Sequence, residues 1–248
     1  MIALIPSKNR PDATAYKLLE AVGFECYFFV EPQDFGKYPM KNKVNILKND
    51  QGITYARNFM LDWQRKNKIK TALICDDDIN QFGHAVDGRS INSKDARPIS
   101  EVFDFFARSD FALGGFNQRQ YAWSEKKKYR VNNGKVEQCF LVNIDKISWK
   151  YKEDTKEDRD FLMQCIQNRK SFIYFGHRYY GCPVLGSNAG GLSDLYKEGR
   201  DSIWAVKLKN DWGKYAKIIK QYGRNDCSLN YKQFAKDMGL KVIWLKLN

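Results

Sequence analysis

Long apolar runs are missing from this chain of 248 residues. No stretch approaches the roughly 18 consecutive apolar residues that a membrane-spanning helix needs, and the mean hydropathy is −0.60. The opening apolar segment, residues 2–5, is stopped by Pro6 and is too short and too quickly polar for a secretory signal. We therefore expect a cytoplasmic protein with no membrane association.

Paired cysteines are missing as well. The six cysteines lie far apart, and none belongs to a C-x-x-C pair of the kind that binds zinc or carries out redox chemistry. Several lie in apolar segments, where a free thiol packs as a small hydrophobic side chain. We expect reduced thiols in the core. Internal repeats and low-complexity linkers are also absent, and a chain of this length is expected to form one compact domain.

Positive charge, by contrast, is in excess. The chain has 42 Lys and Arg residues against 29 Asp and Glu, a net charge of +13 and a pI near 9.3. Residues 197–248 contain 12 basic and 5 acidic residues, and a second basic cluster occupies residues 126–130 among aromatic side chains. A field of this sign favours polyanionic partners, above all nucleic acid. Excess lysine on an ordinary solvated surface is the alternative.

Short apolar segments alternate with helical spacing in the first part of the chain. This order predicts βαβ units and an α/β domain with a mostly parallel central sheet flanked by helices. Strands are predicted at residues 2–5, 26–30, 71–75, 111–116, 138–144 and 172–175. Helices are predicted at residues 14–22, 53–64, 99–108, 158–168 and 214–222, the last one basic. Residues 82–100 are predicted to be mainly loop.

Three adjacent carboxylates, Asp76, Asp77 and Asp78, end the clearest apolar strand. Mg²⁺ and Mn²⁺ prefer carboxylate oxygens, and Mg²⁺ is usually bound through one or two of them plus substrate phosphates. Alternate residues of an extended segment point to the same side, so Asp76 and Asp78 are predicted to share a site that Asp77 does not. An acidic turn or helix cap is the alternative. Because ligands collect at the carboxyl ends of parallel strands, the polar loops after residues 5, 30 and 75 are predicted to meet.

A second acidic motif, Glu-Asp-Arg-Asp-Phe at residues 157–161, opens an amphipathic helix. Carboxylates at a helix start are commonly caps or dipole partners. A carboxylate fixed there can also accept the proton of a hydroxyl nucleophile, which makes Asp158 and Asp160 candidate catalytic residues. The acidic pair Glu153 and Asp154 lies just before the motif and is a competing candidate.

Other polar residues are weaker candidates. Arg57 follows Gly52 near the start of a helix, where it can face a diphosphate. His177 follows a predicted strand and can complete the ligand shell of a metal ion, since imidazole also binds Mn²⁺-type ions. His84 lies in the predicted loop and is the weaker candidate of the two histidines. An ordinary surface arginine and structural histidines are the alternatives.

Taken in order, these motifs resemble the GT-A glycosyltransferases. The motifs are Pro-Ser-Lys-Asn-Arg at residues 6–10, Ala-Arg-Asn at 56–58, the three aspartates and Glu-Asp-Arg-Asp at 157–160. Ile-Pro-Ser-Lys-Asn-Arg-Pro at residues 5–11 and Ile-Cys-Asp-Asp-Asp-Ile at 74–79 are most similar to the TET-associated glycosyltransferases of phages. Those enzymes are thought to add sugar to hydroxymethylated pyrimidines, such as 5-hydroxymethylcytosine, in DNA.

The resemblance implies a GT-A-like core over residues 1–196. Its first part, about 1–80, would bind the nucleotide sugar, and about 81–196 would bind the acceptor and hold the catalytic residues. The basic segment 197–248 would pack on this core. The implied cofactors are a Mn²⁺ or Mg²⁺ ion and a nucleotide-sugar donor, with a UDP-sugar favoured.

The resemblance also assigns residues to roles. The nucleotide-sugar residues would be Pro6, Ser7, Arg10, Glu31, Arg57, Asp76 and Asp77. The metal ligands would be Asp76, Asp78 and His177, and the catalytic residues Asp158 and Asp160, with Asp158 as the base.

The implied acceptor is DNA in the host cytoplasm. The DNA-contacting residues would be Trp123, Lys126, Lys127, Lys128, Arg130, Lys214, Lys217 and Lys220. Two alternatives stay open: a transferase that acts on a polysaccharide, lipid carrier or protein, and a nucleic-acid-binding protein whose acidic motifs are structural. The sequence leaves the oligomeric state open.

Overall fold

The computed structural model describes residues 1–125, 127–152, 155–183, 199–221 and 223–245. The strands are β1 (Ile2–Ser7), β2 (Glu25–Val30), β3 (Lys43–Asn45), β4 (Thr71–Cys75), β5 (Gln81–Val86), β6 (Arg89–Ser93), β7 (Leu113–Gln118), β8 (Tyr129–Val131), β9 (Cys139–Asn143), β10 (Phe172–Gly181), β11 (Ala216–Gln221), β12 (Arg224–Leu229) and β13 (Ile243–Leu245). The helices are α1 (Ala15–Glu20), α2 (Gly52–Lys66), α3 (Arg97–Arg108), α4 (Arg119–Ala122), α5 (Glu157–Gln167), α6 (Arg200–Trp212) and α7 (Tyr231–Asp237). No helix in these ranges is both long and apolar enough to cross a membrane.

One large sheet forms the centre of the molecule. Its strands follow the order β13-β8-β10-β7-β9-β4-β1-β2-β3, and the β5–β6 hairpin is attached through β10. β3, β2, β1 and β4 run parallel, as do β7 and β10, while β9 runs antiparallel between β4 and β7. The predicted α/β class, with helices flanking a sheet that has a parallel core, is confirmed.

Both faces of the sheet are covered, which explains why its central strands are apolar at most positions. Successive side chains of a strand point to opposite faces. In β1, Leu4 therefore packs with α2, α5 and α7, while Ala3 and Ile5 pack with α1 and α3. All three residues are fully buried. The molecule is a single three-layer domain.

Residues 82–100 were predicted to be a loop, and this prediction is wrong. They contain the antiparallel hairpin β5–β6 and the start of α3. The two residues of the hairpin turn, Asp87 and Gly88, both have positive φ angles, 49° and 76°. Asp-Gly is a preferred pair for such a turn, because its backbone twist matches that of the flanking strands.

The predicted basic helix at residues 214–222 is also wrong. A 3-10 turn over Gly213–Tyr215 leads into β11, which pairs with β12 in a separate two-stranded sheet. Alternate residues Ala216 and Ile218 pack on Cys227, so the segment has the two-residue period of a strand. Lys217 and Lys220 consequently point to opposite faces of the hairpin and form no single basic stripe.

The described part of the basic C-terminal segment packs on the domain. Trp212, Tyr231 and Phe234 join the core beneath α5, and β13 adds a strand to the main sheet beside β8. The division predicted between residues 196 and 197 lies outside the described residues.

Candidate active site

Side chains from three parallel strands meet at one edge of the sheet. Ser7 ends β1, Glu31 follows β2 and Asp76 follows β4, so all three lie at the carboxyl ends of neighbouring strands. The antiparallel β9 starts at the same edge, where the Gln138 carbonyl accepts the Asp76 backbone N–H at 2.9 Å. The polar loops therefore converge as the sequence predicts.

Asp77 fixes the loop that follows β1. Its carboxylate accepts hydrogen bonds from Ser7 Oγ at 2.5 Å and from Arg10 Nη1 at 2.7 Å. Tyr38 completes the arrangement, since its hydroxyl contacts Ser7 Oγ at 2.8 Å and accepts the Arg10 backbone N–H at 3.0 Å. Asp77 is buried. Asp77 therefore holds this loop in place. It is not exposed in the way that its predicted role as a nucleotide-sugar ligand requires.

Asp76 points the other way, toward α2 and α5. Arg57 Nη2 lies 2.9 Å from Asp76 Oδ1, and Arg57 Nη1 lies 2.7 Å from Glu157 Oε1. The Arg57 side chain is only 2% exposed. Because the guanidinium is enclosed between two carboxylates, it is not presented to a diphosphate, and the structure corrects that prediction. Arg57 instead ties the end of β4 to the start of α5.

The strand alternation on which the register of the three aspartates was predicted does not hold. Asp77 and Asp78 form a turn rather than an extended segment, so strict alternation does not apply. Arg10 Nη1 contacts both of them, at 2.7 Å from Asp77 and 3.1 Å from Asp78. Asp76 and Asp78 remain about a quarter exposed, whereas Asp77 is closed off.

The acidic groups outnumber the cations that face them. Burial raises the pKa of Asp76, Asp77 and Asp78 above the ordinary value, although Arg57 and Arg10 act in the opposite direction. Burial also raises the pKa of the Glu157 carboxyl, to about 8, against the effect of Arg57. Burial thus disfavours the charged forms of these carboxylates, and the two arginines offset that effect only in part.

Asp76 and Asp78 suit a divalent cation in their donor chemistry. Within the described residues, no three His, Cys, Asp or Glu side chains converge into a complete ligand set. Mg²⁺, however, is commonly held by one or two carboxylates together with substrate phosphates and water. These two partly exposed carboxylates, which lie in a region of excess negative charge, fit that mode of binding.

Asp158 is the accessible carboxylate at the start of α5. Its Oδ1 accepts the Arg159 backbone N–H at 2.7 Å, and it forms no ion pair with any residue that the structure describes. It is partly exposed, while its neighbour Glu157 is buried. A free carboxylate beside the acidic edge can accept a proton from a bound hydroxyl. The competing pair, Glu153 and Asp154, lies outside the described residues.

Asp160 faces away from this edge, and its predicted catalytic role is not supported. Its two oxygens accept hydrogen bonds from Gln164 Nε2 at 2.7 Å and from Trp212 Nε1 at 3.0 Å. Two residues along a helix turn the side chain by about 200°, which separates Asp160 from Asp158. Asp160 attaches the C-terminal helix α6 to α5.

Two other predicted nucleotide residues differ in position. Pro6 is buried within β1, opposite Phe29, and does not lie in the loop. Glu31 lies at the edge as predicted, where Gln33 Nε2 donates to it at 2.6 Å and Lys8 Nζ lies 3.4 Å away.

His177 lies along β10 from the aspartate cluster, and its role as a metal ligand stays a prediction. His177 lies within β10, four residues before Gly181. The Gly181 carbonyl accepts the backbone N–H of Asn80, which lies two residues after Asp78 in the aspartate cluster. Four strand residues span roughly 13 Å. Its Nδ1 lies 2.9 Å from the Lys128 carbonyl, and burial lowers the pKa of His177 to about 4.

A groove of about 1250 Å³ opens on the side of the domain that carries both histidines. The β5–β6 hairpin, the start of α3, the turn after α4 and β10 form its walls. Of the predicted acceptor residues, Trp123, Lys127 and Lys128 line it. The Trp123 side chain is 61% exposed, although its Nε1 donates to the Gln120 carbonyl at 3.0 Å.

The other predicted acceptor residues that the structure describes are not brought to this groove. The Arg130 guanidinium is engaged internally, by an ion pair with Glu125 and by the rings of Tyr174 and Trp244. Lys214 pairs with Asp237 at 3.1 Å on the C-terminal segment, which also contains Lys217 and Lys220. Lys126 lies outside the described residues.

Two site residues escaped the sequence-based assignment. Glu157 was recognised only as part of the acidic motif, and its burial against Arg57 depends on a contact between residues one hundred positions apart. Tyr38 follows a 3-10 turn and carries no motif of its own. Neither role leaves a local sequence signal.

Comparisons with known proteins agree with the motifs. Residues 1–190 match the sequence profile of the family described as TET-Associated Glycosyltransferase. No curated protein sequence matches the chain significantly. Similar solved structures include A197 from STIV, with 12% identity and a TM-score of 0.44, covering 72% of this chain and 83% of that one.

A second similar structure is CMP:2-keto-3-deoxy-manno-octonic acid synthetase in complex with CTP. Its identity is 9% and its TM-score 0.44, with 84% of this chain and 98% of that chain covered. Neither structural likeness bears on function. The family match spans most of the chain, including the three aspartates and the motif at the start of α5. The chain therefore belongs to the TET-associated glycosyltransferase family and is a glycosyltransferase.

Proposed function

We propose that this enzyme transfers a sugar from a UDP-sugar, with the help of Mn²⁺ or Mg²⁺, to a hydroxymethylated pyrimidine in DNA. The observation that carries the proposal is the acidic edge of the sheet. Five carboxylates lie there, on Asp76, Asp77, Asp78, Glu157 and Asp158. Among the described residues, their direct ion-pair partners are the guanidinium groups of Arg10 and Arg57.

The donor would bind at the carboxyl ends of β1, β2 and β4. Asp76 and Asp78 would hold the cation, which when bound would neutralise the charge that develops on the departing nucleoside diphosphate. Ser7, Arg10 and Asp77 hold the loop after β1 in place, so the pocket is organised before the donor arrives. Such prior organisation lowers the cost of ordering loops upon binding.

Asp158 would act as the general base. It would take the proton from the acceptor hydroxyl as the oxygen attacks the anomeric carbon, and the bond to the diphosphate would break in the same displacement. Arg57 supports this arrangement indirectly, since it connects Asp76 at the donor end to Glu157 beside the base. This scheme is an inverting one.

The groove gives the acceptor a path to the site. β5 begins at Gln81, three residues after Asp78, and reaches the groove at His84. Three strand residues span about 10 Å. The exposed ring of Trp123 offers a surface on which a base can stack, and Lys127 and Lys128 offer charges for phosphates. The net charge of +13 supports the same acceptor class.

Mass spectrometry of modified DNA tests the proposal. A duplex with one hydroxymethylated pyrimidine is incubated with the enzyme, Mn²⁺ and each of several UDP-sugars. We expect a mass gain of one sugar on the modified base and none on an otherwise identical duplex that carries the 5-methyl pyrimidine, which lacks the hydroxyl. If UDP-sugars are hydrolysed but no duplex gains mass, the proposal of a DNA acceptor is wrong, whereas the proposal of a donor site is supported.

A further inference from the structure

Two cations flank Asp158 in the sequence, yet neither pairs with it. Lys156 Nζ lies 2.8 Å from Asp226 Oδ1, and Arg159 Nη1 lies 2.8 Å from the same oxygen. Arg159 Nη1 also donates to the Cys227 carbonyl at 2.8 Å. Asp226 belongs to β12, so these two ion pairs link the β11–β12 hairpin to the start of α5.

Asp158 is a close neighbour of both cations along the chain, but residues one or two positions apart on a helix do not face each other, so either cation would have to leave its present position to pair with Asp158. Lys156 precedes it by two residues and Arg159 follows it directly, and both cationic side chains are less than a quarter exposed. Asp226 is buried, and its backbone neighbour Cys227 donates a further hydrogen bond to its Oδ1 at 2.6 Å. A fixed, buried carboxylate therefore holds both cations on the side of the hairpin.

We propose that Asp226 is a positioning residue that holds Lys156 and Arg159 away from Asp158, so that Asp158 stays free to act as the base. The inference rests on the proposed function, since it requires Asp158 to accept the acceptor proton. An ion pair with either cation would stabilise the charged form of Asp158 and make it a weaker base.

The other groups that face Asp158 do not take over this task. Arg57 on α2 is held between Asp76 and Glu157, and Glu157 on α5 is its partner. Tyr151, before α5, and Tyr231, on α7, are buried, and burial raises the pKa of both hydroxyls, which keeps them neutral. Arg159 Nε also lies 3.5 Å from Glu137 Oε1, so Glu137 shares with Asp226 the hold on Arg159, while Asp226 is the ion-pair partner of Lys156 within the described residues.

The pH dependence of transfer by Asp226→Asn tests the proposal. We expect the acidic limb of kcat/KM to move to lower pH by about one unit or more, the usual effect of a new neighbouring cation on a carboxylate. The plateau of kcat should fall, and KM for the donor should stay the same. Asp226→Glu should restore the wild-type profile, because it returns the negative charge.

Matched variants distinguish the proposed effect on Asp158 from a general loss of structure. Asp237→Asn removes a carboxylate that pairs with Lys214 on the surface of the same segment, and it should leave the profile unchanged. The triple variant Lys156→Gln, Arg159→Gln, Asp226→Asn has neither the anion nor the cations, so its acidic limb should return to the wild-type position. A triple variant that keeps the shifted limb would overturn the proposal.

A direct titration separates this inference from the proposed function. Carboxyl-carbon NMR of the enzyme without donor or acceptor gives the pKa of Asp158, with the signal identified by its loss in Asp158→Asn. A lower pKa in Asp226→Asn supports the inference even if DNA is not the acceptor. An unchanged pKa overturns it, whatever the transfer assay shows, and leaves Asp226 a structural residue.

Discussion

Glu157 is an acidic residue in an environment that favours its neutral form. Burial raises the pKa of its carboxyl to about 8, even though Arg57 lies 2.7 Å away and acts to lower it. Between the ordinary pKa near 4.5 and this value, the folded protein holds a proton that the unfolded chain has lost. The stability that this group contributes is therefore complete below about pH 4.5 and is lost as the pH rises toward 8.

Glu157→Gln should remove this part of the pH dependence. The amide resembles the protonated acid and does not titrate, so the free energy of unfolding of the metal-free variant should fall less than that of the wild type between pH 5 and 8. Urea unfolding at several pH values measures the difference. Glu20→Gln on α1, at an exposed position, is the control. Equal slopes for wild type and Glu157→Gln would show that Glu157 is ionised throughout.

Asp158→Asn should reduce turnover by roughly 10²-fold or more, the usual scale for the loss of a general base. Donor affinity should change little, because Asp158 makes no ion pair in the donor region that the structure describes. Steady-state rates together with calorimetric binding of UDP separate the two effects. A fall in donor affinity as large as the fall in rate would indicate that Asp158 binds the donor. If Asp154→Asn is inactive while Asp158→Asn is active, the base belongs to the preceding acidic pair instead.

At the scale of elements, residues of α5 contribute to two different parts of the molecule. Asp158 follows Glu157, which pairs with Arg57 at the acidic edge, while Asp160 accepts hydrogen bonds from Gln164 and Trp212 and so attaches α6. Asp160→Ala would remove the acceptor of the half-buried Trp212 indole N–H and one of the two acceptors of the Gln164 amide, which keeps the Lys150 carbonyl; a buried donor left without an acceptor costs about 1–3 kcal/mol. We expect lower stability in chemical denaturation and a nearly unchanged kcat. A catalytic loss as large as that of Asp158→Asn, with stability intact, would contradict this division.

The sequence predicts well those elements whose pattern of apolar and polar residues is clear within a few consecutive positions. β1 and β4 are short apolar runs that end in polar residues, and both appear as strands that contribute to the site. The β5–β6 hairpin was missed although Asp87-Gly88 is a strong turn signal, because its strands are largely polar and exposed. β11 was mistaken for a helix because its lysines recur every three residues, whereas Ala216 and Ile218 pack with strand periodicity.

Contacts between distant segments are what the sequence does not reveal. The convergence of loops after β1, β2 and β4 follows from parallel pairing, and it could be predicted. The enclosure of Arg57 by Asp76 and Glu157, and the capture of Arg159 by Asp226, depend on how α5 and the C-terminal hairpin dock. No local pattern encodes that docking, so the roles of these residues had to come from the structure.

At the scale of the whole molecule, the positive charge should make DNA binding depend steeply on salt. Each phosphate that a lysine or arginine neutralises releases condensed counterions, so affinity falls as salt rises. Lys127→Glu with Lys128→Glu, at the groove, should weaken binding and flatten this dependence. Lys217→Glu with Lys220→Glu, on opposite faces of β11, makes the same change in charge and should have a smaller effect.

Fluorescence anisotropy on one duplex at several salt concentrations measures both effects. Trp123→Ala in the same assay should reduce sugar transfer more than affinity, because a ring that supports an extruded base assists the reaction rather than docking. If the hairpin pair changes the salt slope more than the groove pair, the DNA lies along the C-terminal segment instead of the groove.

Hydrolysis of a UDP-sugar without any acceptor tests the central claim most directly, namely that the acidic edge binds the donor together with a divalent cation. We expect the wild-type enzyme to release UDP with Mn²⁺ or Mg²⁺, to stop with excess chelator and to recover when the cation is restored. Asp78→Asn should fold, because it removes one of three crowded carboxylates, and should release no UDP under the same conditions. UDP release that continues both in excess chelator and in Asp78→Asn would contradict the claim.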